Sequence, residues 1–252
     1  MSKLLGWYAA VLYAFLHVPL LILIAFSFNS SRFSVWEGAS FTWYRAMLND
    51  TQMAEAAWHS VIIAVFSSLL ATAIGTAAAY GMWKHKAPLL QGSLYLTLVT
   101  PEIVMGISLL ALFQWIFRWM PFRLGLGTVI IAHVAFSIAY VAIVITARLR
   151  TMDSALEEAA LDLGASEWAA FRRVTLPLLA PAMGAAALLA LVVSFDDYVI
   201  TSMVAGVDSE TLPMVIYAMA RRGVNPVLNA VSSVTVVFFG ALILLSERVR
   251  AQ

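Results

Sequence analysis

Three carboxylates interrupt otherwise apolar stretches of this chain: Glu102, Asp196 and Asp197. A charge near the centre of a bilayer costs ~3 kcal/mol or more even on the lenient insertion scale, so an acid kept there faces a water-filled path or a partner. The chemistry open to such acids is to replace hydration water around a cation, and to do so weakly, because a path must release what it holds. Counted from the inner ends of their predicted helices, Glu102 and Asp196 lie on the order of 18 and 22 Å deep at 1.5 Å per residue, at similar height. Neighbouring helical residues diverge by ~100°, so Asp196 and Asp197 cannot both point into one path. Asp197 is favoured, with Ser194 and Thr201 on its face. Phe136 and Tyr140 share a helical face and either flank a cationic substrate by cation–π contact or pack plainly.

Each of these residues has a second reading. Thr100-Pro101-Glu102 has the form of a helix restart, with Thr100 as cap, Pro101 in the first position and Glu102 where the helix dipole favours a negative charge. A broken helix lining a cavity satisfies both readings of Glu102. For Asp196 and Asp197 the alternative is an ion pair with an arginine of another subunit. His17 and His133 stand alone on apolar faces and read as hydrogen-bonded core residues.

Catalysis finds no support. The only lysines are Lys3, Lys84 and Lys86, none preceded by glycine, so there is no phosphate-binding P-loop and no ATP hydrolysis by this chain. Neither His-Glu-x-x-His nor Gly-x-Ser-x-Gly occurs. The absence of cysteine excludes disulfides and thiolate metal sites. No catalytic residue and no metal site are assigned, and a net charge of +1 leaves no nucleic-acid footprint.

The elements that position the acids are helices in a membrane. The 252 residues are 62% hydrophobic and 12% charged, with a mean hydropathy of +0.90, far outside the soluble range. Spans of ~20 apolar residues are predicted at Leu5–Phe28, His59–Met82, Leu90–Phe117 (with room for a break), Gly127–Leu149, Pro181–Ala205 and Pro226–Leu245. The fold class is all-α: a polytopic membrane protein of six transmembrane helices in a single domain over 1–252, with core spans over about 59–245. The first span is too long for a secretory core and is followed by Asn29-Ser30-Ser31-Arg32, so it reads as a retained helix.

With both termini cytoplasmic, Lys3, Lys84, Lys86, Arg148, Arg150, Arg172, Arg173, Arg248 and Arg250 lie inside. Arg32, Arg45, Arg118, Arg123, Arg221 and Arg222 lie outside. The bias has the direction of the positive-inside rule. Ala71, Gly75 and Ala79, beside a row of Ser68, Thr72 and Thr76, allow close helix approach in lipid. The external segment Ser34–Trp58 reads as an interfacial anchor through Phe41, Trp43, Tyr44 and Met47, or as a contact for an outside partner. Asn225-Pro226 caps and starts the last span, after a loop with a short helix over Thr211–Gly223.

One polar island, residues 150–180, breaks the apolar sequence. Ser154-Ala155-Leu156-Glu157 has the form of a capping box. It predicts a helix from about Ala155 to Leu163, ended by Gly164 with positive φ. Ser166 caps a second short helix through Trp168 and Phe171 to Arg172-Arg173, before Leu176-Pro177 turns the chain back to the membrane. Helix, glycine, helix is a knob whose apolar contact face comprises Ala159, Leu163 and Trp168. The alternative is an amphipathic hairpin on lipid headgroups.

Glu158-Ala159-Ala160, three residues, Gly164, nine residues and Val174-Thr175-Leu176-Pro177 together resemble the EAA loop of permease subunits in bacterial ABC importers. Nearly the whole chain is similar to the second permease subunit of the spermidine/putrescine importers. The matching stretches are Ser27–Ser31, Pro101–Val104 with Gly106, Ala132–Phe136 with Tyr140, Ser194–Asp197, Thr211–Pro213 and Gly223–Pro226. Val35–Gly38 and Ser154–Gly164 lean toward the putrescine branch. Glu102 replaces the aspartate of several relatives, and Arg221-Arg222 is unusually basic for a surface facing a polycation.

The resemblance implies the type I ABC importer permease architecture in a bacterial inner membrane. It implies polyamine import from periplasm to cytoplasm, with another small solute delivered by a binding protein as the alternative cargo. The implied partners are a second homologous permease subunit, a cytoplasmic ATPase dimer and a periplasmic polyamine-binding protein. ATP and Mg would be on the ATPase, with no cofactor on this chain. Coupling would fall to Glu157, Glu158, Ala159, Ala160, Asp162, Gly164, Arg172, Leu176 and Pro177. The polyamine path would fall to Glu102, Asp196, Asp197, Ser194, Phe136 and Tyr140.

Overall fold

The structure is a computed structural model that describes residues 2–33, 35–85, 87–223 and 225–250, with the side chains of 2, 3 and 243–250 outside the description. The readings made on Ser34, Lys86 and Val224, and on the side chains of Lys3, Arg248 and Arg250, therefore lie outside the described residues. The described chain is helical: α1 Ser2–Ser27, α2 Thr42–Leu48, α3 Thr51–His85, α4 Pro88–Val99, α5 Glu102–Phe117, α6 Leu126–Thr151, α7 Ala155–Asp162, α8 Glu167–Ala170, α9 Leu176–Asp196, α10 Val199–Val204, α11 Leu212–Arg221 and α12 Pro226–Arg250.

Among the described residues, four helical stretches are long and apolar enough to cross a membrane: Leu4–Ser27, Thr51–His85, Leu126–Thr151 and Glu167–Asp196. The pair α4 and α5 makes a fifth if taken as one span, bent by 110° at its break, and α12 is a shorter apolar helix over Pro226–Leu242. The six predicted spans thus all correspond to helices, but the third is broken and the fifth is displaced. That fifth helix begins at Glu167 and ends at Asp196, because the chain leaves helical geometry at Asp197 (φ −66°, ψ 124°) and restarts as α10. Pro181–Ala205 is not one continuous span.

The chain divides into two compact units, Met1–Ala57 with Met214–Gln252 and Trp58–Pro213. In the first, α1 packs on α12 and α12 on α2. The loop after α1 is organised by buried Asn29. Its amide donates to the Val35 carbonyl at 2.7 Å, its Oδ1 accepts from Glu37 N–H at 3.0 Å, and its backbone carbonyl accepts from Trp43 Nε1 at 2.7 Å. Trp43 is itself buried, which corrects its reading as an interfacial anchor. Tyr44 is likewise tied to Ser27, 2.6 Å away. Asn225 Oδ1 caps α12 by accepting from Val227 N–H at 3.0 Å, as its sequence predicts.

The second unit holds two apolar layers. Ala71, Ala79 and Met82 of α3 meet Val141, Ala142, Ile145 and Leu149 of α6 and Leu179, Ala186 and Ala190 of α9. A second layer joins Ile63, Phe113, Val129, Ala132, Phe136, Ile200 and Val204. Close approach depends on Gly75, since a Cβ there would stand 2.7 Å from Val141 Cγ1. With lipid as solvent, dense packing at small residues holds such helices together.

Candidate functional site

The break at Thr100-Pro101 and the break at Asp197 open onto one cavity of about 360 Å³. Its wall carries Glu102, Asp196, Asp197, Phe136 and Tyr140 with Thr97, Thr100, Met105 and Tyr198. Five of the six residues singled out for a path are therefore brought together from three helices, α5, α6 and the end of α9. Glu102 and Asp196 are exposed, Tyr140 is half-buried and Phe136 buried. The two rings meet edge to face at 6.4 Å.

Glu102 lies in the first turn of α5, as the restart reading expects, but as its first residue, one position ahead of that reading's register, because Pro101 takes the cap; it also lines the cavity. Thr100 does not cap α5: its hydroxyl donates back to the Leu96 carbonyl at 2.8 Å and so closes α4. Pro101 occupies the cap with extended backbone (φ −58°, ψ 136°), the conformation its ring favours.

Asp196 and Asp197 part company. Asp197 turns inward: its carboxylate accepts from Thr201 N–H at 2.7 Å, Ile200 N–H at 3.3 Å and the Thr201 hydroxyl at 2.7 Å, serving the free amides at the start of α10. His133 Nε2 lies 3.3 Å from the same carboxylate. His133 Nδ1 reaches Ser194 Oγ at 2.7 Å, and Ser194 meets Ser67 of α3 at 2.8 Å. Ser194 is thus a buried strut absent from the cavity wall, and Asp196, not the favoured Asp197, is the aspartate whose side chain is exposed there. Sequence placed His133 correctly as a hydrogen-bonded core residue, but nothing in its spacing pointed to Asp197.

The polar loop folds as helix, glycine, helix. Gly164 has φ +86°, and Gly164 N–H donates to the Leu161 carbonyl while Ala165 N–H donates to that of Ala160, at 2.9 and 3.0 Å. Those paired bonds are the Schellman closure of α7. Ser166 Oγ accepts from Ala169 N–H at 3.3 Å and caps α8. Glu158, Ala159, Asp162, Leu163, Trp168, Arg172 and Pro177 are exposed, Ala160 and Leu176 partly buried. Leu163 is 90% and Trp168 68% exposed, the two large apolar side chains of the contact face that the sequence predicts.

Two expectations for this loop are corrected. There is no capping box at Ser154. Asp153 Oδ1 accepts from Ala155 N–H at 3.0 Å instead, because the Glu157 carboxylate is committed elsewhere. The chain also does not turn at Leu176-Pro177. A π-turn over Phe171–Thr175 joins α8 to α9, and the extra residue in the turn relieves the clash that Pro177 would make with the preceding carbonyls.

Glu157 is buried. It accepts from Lys84 Nζ and Tyr80 OH, both at 2.7 Å, and from Thr175 Oγ1 at 2.5 Å. Burial pushes its pKa up, but the hydrogen bonds from Lys84, Thr175 and Tyr80 outweigh that and hold it below the ordinary carboxylate value. No sequence pattern announced these partners, since Tyr80 and Lys84 stand over 70 positions upstream.

The family described as binding-protein-dependent transport system inner membrane component matches residues 71–251. The chain is 37% identical over 246 residues to the spermidine/putrescine transport system permease protein PotC of Escherichia coli strain K12, covering 96% of this chain and 92% of that one. To the putrescine transport system permease protein PotI of the same strain it is 40% identical over 233 residues, covering 88% and 81%. Its fold is shared by a chain of a bacterial ABC transporter involved in import of the acidic polysaccharide alginate, with a TM-score of 0.79, 15% identity and coverage of 98% and 94%. The MetNI methionine ABC transporter matches with a TM-score of 0.67 over 79% of this chain and 95% of that one, at 18% identity. These relationships identify the chain as a member of the binding-protein-dependent transport system inner membrane component family: a non-enzymatic, multi-pass inner-membrane permease subunit of an ATP-driven importer.

Proposed function

We propose that this permease subunit moves polyamines, putrescine or spermidine, from the periplasm to the cytoplasm. The observation that carries the reading is the cavity that collects the exposed Glu102 and Asp196 with the aromatic faces of Phe136 and Tyr140. Two exposed carboxylates on one cavity wall suit a cation that carries ammonium groups, and the neighbouring aromatic side chains favour its methylene body and charge. Relatives named for spermidine and putrescine transport support the same cargo.

In this reading both termini and the loop over 150–180 are cytoplasmic. Leu163 and Trp168 dock on one subunit of an ATPase dimer, with Glu158, Asp162 and Arg172 at the rim of the contact. A second homologous permease subunit completes the path, and a periplasmic binding protein delivers the polyamine. ATP and Mg are held by the ATPase, and this chain contributes no cofactor site. Binding of the loaded protein outside and ATP closure inside select alternate states of one rigid-body switch.

The test is ATP-driven accumulation in vesicles that contain the whole complex, offered labelled putrescine, spermidine, a neutral amino acid and a sugar in turn. Saturable uptake of either polyamine alone supports the reading. Uptake of one of the other solutes keeps the importer and replaces the cargo.

A further inference from the structure

Among the contacts of the loop, one group stands apart from the rest. Glu158, Ala159, Asp162 and Leu163 face outward, whereas Glu157, on the opposite side of the same short helix, has a side chain only 7% exposed. Its two oxygens are divided between two elements. Oε1 takes Tyr80 OH and Lys84 Nζ, both from the end of α3, and Oε2 takes the Thr175 hydroxyl from the π-turn that leads into α9. The Tyr80 ring packs on Phe171 of that turn with centroids 4.5 Å apart, and Lys84 Nζ lies 5.9 Å above the Tyr80 ring.

We propose that Glu157 is a positioning residue, a latch that fastens α7 to α3 and to the π-turn so that force applied to the exposed face of the loop reaches two transmembrane helices at once. This rests on the reading of that loop as the ATPase contact. An eight-residue helix flanked by Gly164 has little stability of its own. Without the latch, α7 can be displaced by a partner while α3 and α9 stay still. A charge-assisted bond to Lys84 and two hydroxyl donors to one buried carboxylate give the stiffness that a capping box, confined to α7, could not supply. The π-turn is part of the device, because the extra residue within it places Thr175 beside α7.

The role differs from a contact role in what it moves. Loss of an ATPase contact lowers association, whereas loss of the latch leaves association intact and removes transmission. The absence of cysteine makes a distance measurement direct. Spin labels at Ala155→Cys on α7 and His85→Cys at the end of α3, both exposed positions, report their separation in the assembled complex without reference to cargo. A narrow distance distribution is expected with Glu157 present, and a broad one in Glu157→Gln and in Lys84→Met. In the same complexes the ATPase should co-purify in unchanged amount and hydrolyse ATP at its basal rate. Stimulation by loaded binding protein should fall fivefold or more, on the order of an allosteric coupling free energy. The double variant Glu157→Gln with Lys84→Met should be no worse than either single one, since both remove one interaction.

An unchanged distance distribution in Glu157→Gln would overturn the latch, and so would full stimulation despite a broadened one. Loss of ATPase co-purification in Glu157→Gln would also overturn it, by making Glu157 a contact residue. Failure of the cargo reading is separate, because it appears as absent polyamine uptake by the wild type with the distance result standing.

Discussion

His133 Nε2 lies 3.3 Å from the Asp197 carboxylate, and both side chains are almost wholly buried. That pair decides which aspartate is available. By drawing the Asp197 carboxylate into a network that runs through Thr201 and Ser194 to Ser67, it leaves Asp196 as the exposed one of the two aspartates on the cavity wall. Leaving a buried hydrogen-bonding group without its partner costs about 1–3 kcal/mol, whereas an exposed side chain usually costs under ~0.5 kcal/mol. His133→Ala and Asp197→Ala should therefore reduce the yield of monodisperse protein and its melting temperature in detergent. Asp196→Asn should leave both unchanged.

The helix contact at Gly75 gives a stability prediction independent of transport. In Gly75→Ala the new Cβ meets Val141 Cγ1 at 2.7 Å and its Cβ at 2.8 Å, and overpacking of this kind costs about 1–3 kcal/mol. Gly184→Ala meets nothing within 4 Å and should be neutral or slightly stabilising, by up to ~1 kcal/mol from helix propensity. Thermal unfolding of the two variants in one detergent, with Val141→Ala as a partial rescue of Gly75→Ala, checks the contrast.

Much of this was legible in sequence, for identifiable reasons. Apolar runs between charges located the spans, and Gly164, Ser166 and Asn225 marked helix ends because only a few residue types satisfy those backbone positions. The acids Glu102 and Asp196 stood out because charge is costly in lipid. Interactions between distant residues were not legible. The commitment of Glu157 to Tyr80 and Lys84 displaced a local capping box that its spacing favoured. The pairing of Asp197 with His133, 64 positions apart, buries the Asp197 carboxylate and leaves that of Asp196 exposed, a difference that their adjacency in sequence does not show. The π-turn hid the passage through Pro177, since sequence registers proline as a stop and not the extra residue that accommodates it.

The latch has a pH dependence with a definite sign. The Glu157 carboxyl is held below its ordinary value in the folded protein, so the stability it contributes is complete above the ordinary carboxylate range and is lost as pH falls through the depressed folded value. Thermal stability of the wild type should be level around neutrality and drop at acid pH by more than that of Glu157→Gln, which lacks the titrating group. Equal acid profiles for the two proteins would contradict the assignment.

In the proposed ATPase contact, the bare apolar groups of the loop form the partner surface. Leu163→Asp or Trp168→Ala should lower affinity for the ATPase by roughly 30-fold or more, the size of a hot-spot loss of 2 kcal/mol, with the permease itself inserted normally. Quantitative co-purification of the ATPase over a concentration series measures the change. Undiminished affinity in both variants would move the contact elsewhere.

The most direct measurement is ATP-dependent uptake of labelled putrescine and spermidine in cells that lack this gene and are complemented with the wild type, Asp196→Asn or Glu102→Gln at equal membrane abundance. Restoration by the wild type with at least about a tenfold loss in each variant, the equivalent of 1.4 kcal/mol, is the predicted result. Wild-type uptake that survives both substitutions would contradict the assignment of the cavity acids to the polyamine path.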